Sequence, residues 1–213
     1  MPRKTEAAET PNLWEAHKRQ SIQDGVIRLM CREGLNSVTM ERVAQEVGIA
    51  KGTVYLHYRD KQELLDDVKN AALDPLVDRM MEVAAMDEPA DRKLLAFARG
   101  YLAYFDDSRD LFRILLYERE VTRVNNTRFQ TGRYRKLVGI AAEIVREGTD
   151  AGILREVNPR MVGAMLVESI IAIVNQRLSR DVRTPVDDDA ELIADLFLRG
   201  TTAEPRQRRR GTR

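Results

Sequence analysis

Residues 39–61 read TMERVAQEVGIAKGTVYLHYRDK, which predicts two short helices joined by a tight turn and the start of a third helix. Thr39 is a favourable N-cap, because its hydroxyl can accept a hydrogen bond from a free backbone N–H group of the first turn. Val38 and Val43 flank this cap at the positions of a hydrophobic staple. Gly48 then ends the first helix, so the stretch has the organisation of a helix-turn-helix.

The second of these helices, residues 51–58, has an outward face of small residues and hydrogen-bond donors. No acidic residue occurs between positions 50 and 59. The major groove of DNA is about 12 Å wide and accepts one helix, and an acidic side chain there would face phosphate. The composition of this face therefore favours DNA binding. The outward residues are Lys51, Gly52, Thr53, Leu56 and His57.

Lys61 lies at the predicted start of the next helix, where the helix dipole already presents positive potential. A lysine is mildly unfavourable there in the isolated protein, but it is well placed if a phosphate binds at the helix start. Thr39 has two possible roles, since its hydroxyl can cap a helix or bond a phosphate oxygen.

Simpler explanations exist for each of these features. Helix-turn-helix spacing also occurs in proteins that do not bind DNA, and a lone lysine at a helix start is usually solvated. A histidine such as His57 is more often a surface residue than a contact. The staple, the turn glycine, the acid-free helix and Lys61 together favour the DNA interpretation.

The whole chain has an all-α pattern of about nine helices. Apolar residues recur at helical spacing, and no segment shows sustained alternation of the kind that a strand requires. Pro75 predicts a kink or break near Leu73 and Asp74 in the fourth helical segment. The predicted helices cover residues 13–33, 39–47, 51–58, 61–86, 90–105, 108–120, 126–148, 158–178 and 187–199.

These patterns predict four parts of the chain. Residues 1–12 form a disordered arm, and residues 13–62 form a three-helix helix-turn-helix domain. Residues 63–200 form a second helical domain, to which the family resemblance described below assigns ligand binding and dimerisation. Residues 201–213 form a basic, disordered tail. Either basic end could add phosphate contacts, although a solvated terminus is the simpler expectation.

Charge and composition limit the alternatives. With 213 residues and a net charge of +1, the chain has no overall basicity, so any DNA-binding surface must be local. The single Cys31 predicts a small buried core residue. No secretory signal is apparent, and the apolar run 161–174 is interrupted by Glu168 and is shorter than the roughly 20 residues that span a bilayer. The sequence predicts a soluble, cytoplasmic protein without a membrane partner.

The helix-turn-helix stretch resembles the signature of the TetR family of transcriptional regulators, and the resemblance covers residues 15–65. It implies a homodimer that binds a palindromic DNA operator and is released by a small apolar or amphipathic effector, with repression favoured over activation. The matching positions are Thr39, Val43, Ala44, Val47, Gly48, Ile49, Gly52, Thr53, Val54, Tyr55, His57, Tyr58, Lys61 and Leu64.

The resemblance also implies roles for single residues. Four match positions that touch the phosphate backbone, and four match positions that reach base edges. Glu41 has two possible roles, since it could accept a hydrogen bond from cytosine or complement the helix N-terminus; Tyr58 is expected in the core. The phosphate set is Thr39, Tyr55, His57 and Lys61, and the base set is Glu41, Lys51, Gly52 and Thr53.

The last two helical segments, 158–178 and 187–199, are too apolar for surface helices. Burial within one chain is one explanation, and the resemblance implies another, in which two such helices from each subunit form a four-helix dimer interface. The predicted interface residues are Val162, Met165, Leu166, Ser169, Ile170, Ile173, Leu192, Ile193, Leu196 and Phe197.

Aromatic residues are concentrated between positions 97 and 134. Such enrichment usually reflects core packing, but it also lines apolar ligand cavities. The predicted effector-binding residues are Tyr101, Tyr104, Phe105, Arg113, Tyr117, Tyr134 and Glu168. We expect the effector to shift the fourth helix, which carries Lys61, and so to change the spacing of the two DNA-reading helices.

Two other classes of protein compete with a regulator. One is an enzyme, and the other is a helical small-molecule-binding module that keeps the helix-turn-helix only for packing. The sequence has no metalloprotease, nucleophile-elbow or Walker-type motif and no Cys/His cluster. We therefore predict no enzymatic activity, no cofactor and no metal.

Overall fold

A computed structural model describes residues 13–112 and 132–201, and within these ranges the chain is all-α with no strand. A 3₁₀ turn lies at Leu35–Ser37, and a further helical stretch begins at residue 109. The helices with described ends are α1 (Leu13–Glu33), α2 (Met40–Val47), α3 (Lys51–His57), α4 (Lys61–Ala71), α5 (Asp74–Ala84), α6 (Ala90–Asp107), α7 (Gly132–Asp150), α8 (Pro159–Ser179) and α9 (Asp187–Thr201).

The described residues form two compact units. The first unit comprises residues 13–71, so it contains the helix-turn-helix and the whole of α4. The second unit comprises residues 72–112 and 132–201. Thr201, which opens the predicted basic tail, is the last residue of α9 and is buried. The predicted arm at residues 1–12 and the rest of the tail lie outside the described residues.

The core of the first unit forms where the apolar stripes of its helices meet. Gly25 allows α1 and α2 to approach closely, because a Cβ atom at this position would lie 2.4 Å from Cγ2 of Val47. This close contact fixes the helix that precedes the turn against the longest helix of the unit. Buried residues include Ile22, Val26, Met30, Val43, Ala44, Val54, Tyr58, Leu64, Leu65 and Val68.

The helix end predicted at Gly48 and the break predicted near Pro75 are confirmed. Gly48 has φ of 73° and ψ of 35°, and this left-handed conformation, which glycine adopts without a steric penalty, ends α2. Helix α4 ends at Ala71 and α5 begins at Asp74, which confirms the break that Pro75 predicts. Pro75 lies in the first turn of α5, where its missing N–H group has no helical partner to lose.

The second unit is built around the crossing of α7 and α8. A Cβ atom at Gly163 would lie 2.7 Å from the backbone nitrogen of Ala142, so the glycine permits this close crossing. By length and composition α8 is apolar enough to cross a membrane. Its inward side chains Leu166, Ile170 and Val174 are buried within this unit.

The prediction that Cys31 is a core residue was wrong. Cys31 is exposed on α1, whereas the preceding Met30 is completely buried. Successive helical residues are about 100° apart around the axis, because a turn takes 3.6 residues. Here Met30 occupies the inward position, and this turns Cys31 away from the core.

Candidate nucleic-acid interface

Thr39 caps α2 as its sequence position predicts. Its backbone is extended, and its side-chain oxygen accepts a hydrogen bond of 3.2 Å from the backbone N–H of Arg42. The residue is exposed, so the hydroxyl is accessible from solvent.

Helix α3 is held by its inward face and exposed on its outward face. Val54 is completely buried, and the following Tyr58, just after the end of the helix, is 1 % exposed. On the outside, Tyr55 is 46 % exposed and Leu56 is 85 % exposed. A leucine gains no burial within the chain at such a position, so this apolar surface remains free to contact another molecule.

Gly52 has no role in the protein's own packing. A Cβ atom at this position would meet no neighbouring heavy atom within 4 Å. Alanine would favour the helix by about 1 kcal/mol relative to glycine. The fold itself therefore does not require a glycine here. Its effect is to leave the backbone of α3 open to close approach from outside the chain.

Two of the predicted base-reading residues contact each other. The ammonium group of Lys51 forms an ion pair with Glu41, and its Nζ atom lies 5.6 Å from the centroid of the Tyr55 ring. The hydrogen bond between the two lowers the pKa of Glu41 and raises the pKa of Lys51. Both side chains are half exposed, so the pair sits on the surface and is open to exchange with another partner.

Lys61 is more constrained than its sequence position suggests. Its Nζ atom donates a hydrogen bond of 3.3 Å to the carbonyl oxygen of Leu35, and the residue is half-buried. Acidic groups cap the start of α4. The Asp60 carboxylate accepts from the N–H of Glu63 at 2.8 Å, and the Glu63 carboxylate accepts from the N–H of Arg59 at 2.7 Å.

Asp67 joins three helices of the first unit, although no motif in the sequence indicates this role. Its carboxylate accepts hydrogen bonds from Arg19 Nε at 2.8 Å, from Gln23 Nε2 at 2.7 Å and from the Tyr58 hydroxyl at 2.6 Å. Partial burial acts to raise the pKa of Asp67, but these hydrogen bonds outweigh it and the pKa lies below its ordinary value. Since Tyr58 directly follows α3, the carboxylate fixes the C-terminal end of that helix. Its donors lie up to 48 residues away, and local periodicity carries no signal for such a pairing.

The predicted dimer residues of the second unit divide by exposure. Leu166, Ile170 and Ile193 are buried within the same chain, so they support α8 and α9 from inside and do not face outward. Val162, Ser169, Ile173 and Phe197 are half-buried. Four large apolar side chains, spaced four residues apart on each helix, are more than half exposed. This apolar strip consists of Met161, Met165, Leu192 and Leu196.

Two buried arginines fix the connection between α8 and α9. Arg177 donates to Asp189 at 2.6 Å, and Arg109 donates to the carbonyl oxygen of Val182 at 2.5 Å. Arg109 also pairs with Asp106 at the end of α6. Their partners are far apart in the sequence, which is why sequence analysis did not find this network. It holds the loop that aligns the two helices of the apolar strip.

The predicted effector-binding residues lie in an aromatic cluster and beside it. The Tyr101 and Phe105 rings stack with their centroids 5.4 Å apart, and the centroids of the Phe105 and Phe112 rings are 4.1 Å apart. The Tyr104 hydroxyl donates to the carbonyl oxygen of Ala72, so its polar group is already engaged. Arg113 and Tyr117 lie outside the described residues.

Tyr134 and Glu168 form a hydrogen-bonded pair between α7 and α8. Burial, together with this hydrogen bond, raises the pKa of Tyr134 to about 12. The pair brings together two of the predicted effector-binding residues.

An open depression of about 430 Å³ lies elsewhere in the second unit. It is lined by residues that sequence analysis did not select, namely Asp106, Asp107, Ser108, Arg109, Asp110, Leu111 and Arg183. Within residues 13–112 and 132–201, no three His, Cys, Asp or Glu side chains come together as a metal-binding group would require.

Residues 22–68 match the family model described as bacterial regulatory proteins, tetR family. A Staphylococcus aureus HTH-type transcriptional regulator, SAB2452, is 30 % identical over 87 residues, which cover 41 % of this chain and 46 % of the relative. The match thus spans about half the length of that curated relative.

Solved structures extend the likeness to the whole fold. A TetR transcription regulator from Haloarcula marismortui has a TM-score of 0.74 at 19 % identity, over 88 % of this chain and 100 % of the other. The SmeT–triclosan complex has a TM-score of 0.64 at 20 % identity, over 88 % of this chain and 93 % of the other.

Proposed function

Because the chain belongs to the TetR family of transcriptional regulators, we propose that it binds a palindromic DNA operator as a homodimer and represses transcription. TetR-family members are regulators rather than enzymes. A soluble protein that acts on chromosomal DNA belongs in the cytoplasm, so this location forms part of the proposal.

The outward face of α3 is the observation that carries the proposal. It is anchored on the inside by Val54 and Tyr58, exposed on the outside, and free of acidic residues. Gly52 leaves the backbone of α3 accessible from outside the chain, and no packing contact within the chain requires a glycine there. A helix with such a face matches the one that enters the major groove in a helix-turn-helix protein.

In the proposed complex, the base-reading group is Glu41, Lys51, Gly52 and Thr53. Thr39, Tyr55, His57 and Lys61 bind phosphate. Thr39 and Tyr55 are exposed and available without rearrangement. Lys61 must exchange its hydrogen bond with Leu35 for a phosphate oxygen, which is a small change for a flexible side chain.

The apolar strip supports the homodimer. Its four side chains place more than half of their surface in water, and two further apolar residues of the same two helices, Ile173 and Phe197, are half-buried. Pairing two copies through α8 and α9 would remove this surface from solvent, which is favourable. A twofold pair also suits an operator whose half-sites lie one DNA turn, or roughly 34–36 Å, apart.

We further propose that an apolar or amphipathic molecule binds the second unit and releases the DNA. The aromatic cluster around Tyr101, Tyr104 and Phe105 and the polar Tyr134–Glu168 pair offer the two kinds of contact that such a molecule needs. SmeT, which shares the fold, is known in complex with triclosan. An effector acts by binding the released state more tightly than the DNA-bound state.

The test uses a duplex that the wild-type chain selects from a random pool, together with a scrambled duplex of equal length and composition. We expect Lys51→Ala to weaken binding to the selected duplex about 100-fold, since each half-site loses a base contact of about 1–3 kcal/mol. Lys136→Ala, at an exposed position on α7, is the matched control and should bind as the wild type does.

Two results would contradict the proposal. One is a wild-type chain that retains no duplex while remaining folded, which would favour the binding-module alternative. The other is equal binding by Lys51→Ala and the wild type. For the effector, triclosan serves as the first probe, and the proposal of release fails if no apolar compound that binds the chain changes its affinity for the selected duplex.

A further inference from the structure

The first unit has no net charge, although it contains the proposed DNA-binding surface. Between residues 13 and 71, nine Lys or Arg residues stand against nine Asp or Glu residues. Non-specific affinity for DNA depends on the number of phosphates that basic residues neutralise. A balanced unit therefore gains little from random DNA unless some of its basic residues are released from acidic partners.

Most of these basic residues do have acidic partners within the unit. The contacts join side chains across helices and within them. The pairs are Arg19 with Asp67, Arg28 and Arg32 with Glu46, Arg32 and Arg42 with Glu33, Lys51 with Glu41, and Arg59 with Glu63. Lys51 is the only Lys or Arg between positions 43 and 58, so the pair with Glu41 controls the one cation of the reading helix.

A phosphate and a base pair present different hydrogen-bonding groups to the Lys51–Glu41 ion pair. A phosphate has only acceptors and a negative charge, so it attracts Lys51 but repels Glu41. A G·C base pair offers guanine O6 and N7 as acceptors and the cytosine N4 amino group as a donor. It can satisfy Lys51 and Glu41 at the same time.

We propose that Glu41 is a specificity-determining residue, which withholds Lys51 from phosphate on random DNA and accepts a hydrogen bond from cytosine where Lys51 contacts guanine. The proposal rests on the proposed DNA-binding function. It assigns Glu41 to base reading in preference to the alternative role of complementing the N-terminus of α2. It also predicts a G·C pair, or adjacent G and C bases, within each half-site of the operator.

The experiment compares wild type with Glu41→Gln on the selected and scrambled duplexes over a series of salt concentrations. In the variant, Lys51 is free to bind phosphate. We expect affinity for the scrambled duplex to rise about tenfold, and the slope of log affinity against log salt to steepen by about 1.8, since each of the two lysines adds about 0.9. Affinity for the selected duplex should change less, so that the specificity ratio falls.

Glu46→Gln is the matched control. Glu46 lies on the same helix and loses the same charge, but its partners Arg28 and Arg32 belong to α1. A second control adds Lys51→Ala to Glu41→Gln, which should abolish the gain on the scrambled duplex. Thermal unfolding of each variant verifies that the fold is retained.

The outcomes separate the two proposals. If Glu46→Gln raises affinity for the scrambled duplex as much as Glu41→Gln does, total charge explains the effect and the proposal for Glu41 is overturned. An unchanged specificity ratio in Glu41→Gln overturns it as well. A wild-type chain that binds neither duplex contradicts the DNA-binding function itself.

Discussion

The exposed surfaces of the two units differ in the kinds of side chain that they carry. In the first unit, most basic side chains have acidic partners, and the exposed face of α3 carries Lys51, the open Gly52 and the single large aliphatic residue Leu56. In the second unit, α8 and α9 expose four large apolar side chains, while arginine side chains are buried between them and α6. A neutral, paired surface suits a partner that is recognised by exchange of hydrogen bonds. An exposed apolar strip suits a partner that is bound by burial, such as a second copy of the chain.

Leu196→Glu should have the largest effect, because it removes the apolar character of the strip in the second unit. It places a carboxylate in the apolar strip of each subunit, and a buried unpaired charge costs several kcal/mol. We expect the dimer to dissociate at micromolar concentration and operator affinity to fall about 100-fold or more, because one subunit holds only half a site. Sedimentation and DNA titration measure the two effects.

Met81→Glu is the control for this change, since Met81 is 47 % exposed on α5, outside the strip. It should leave the sedimentation and the affinity unchanged. A Leu196→Glu chain that still sediments as a dimer would show that the strip is not the interface.

Gly52→Leu should have the next largest effect. A Cβ atom at this position meets no neighbouring heavy atom within 4 Å, so thermal stability should stay the same or rise slightly. On DNA, however, it would stand between α3 and the base edges, and we expect affinity for the selected duplex to fall about tenfold or more. Gly139→Leu, at a similarly open position on α7, should change neither property. If Gly52→Leu and the wild type bound DNA with equal affinity, the face of α3 that carries Gly52 would not be the one that contacts the major groove.

Asp67→Asn should affect the first unit through its stability. Removing the carboxylate charge weakens three hydrogen bonds, and we expect the free energy of unfolding to fall by about 1–3 kcal/mol at neutral pH. Denaturant titration measures this value. Asp66→Asn, whose carboxylate accepts only an exposed hydrogen bond from Gln62 among the contacts described, is the neighbouring control and should change it much less.

The effect of Asp67 should also depend on pH. Its folded-state pKa lies below the ordinary value, so its contribution is fully present above the unfolded pKa of about 4 and is lost as the pH falls through the folded pKa. The stability difference between wild type and Asp67→Asn should therefore shrink in acid. A difference that stays constant down to pH 2 would show that the charge is not the cause.

The smallest effect is expected for Cys31→Ser. Because Cys31 is exposed, the substitution should change the free energy of unfolding by less than about 0.5 kcal/mol, as at most surface positions. A loss of several kcal/mol would instead indicate that Cys31 is buried in solution.

Local features of the fold were predictable from the sequence. Thr39, Gly48 and Pro75 each act on the nearest turn of backbone, and the structure shows Thr39 capping α2, Gly48 ending it and Pro75 in the first turn of α5. The exposed face of α3 follows from the same local rules, because burying Val54 and Tyr58 directs Tyr55 and Leu56 outward and leaves His57 half-buried.

Features that depend on distant parts of the chain were not predictable. Asp67 meets Arg19 across 48 residues, and Arg109 meets the backbone of Arg177 across 68. The same limit explains why apolar residues such as Leu166 and Ile193 were assigned to the interface: periodicity shows that a helix has apolar faces, but not which face meets its own chain. The aromatic cluster is a similar case, since composition indicates Tyr101 and Phe105 without showing that they stack on each other.

If a twofold pair of α3 helices reads DNA, the sequences that the chain selects must share that symmetry. The wild-type chain is incubated with a random duplex pool, and the retained sequences are determined. We expect a palindrome whose half-sites are centred one DNA turn, or about 10 base pairs, apart. Each half-site should contain a G·C pair, and a parallel selection with Lys51→Ala should no longer retain a preference for that pair. Retained sequences without twofold symmetry, or a palindrome that Lys51→Ala selects unchanged, would contradict this expectation.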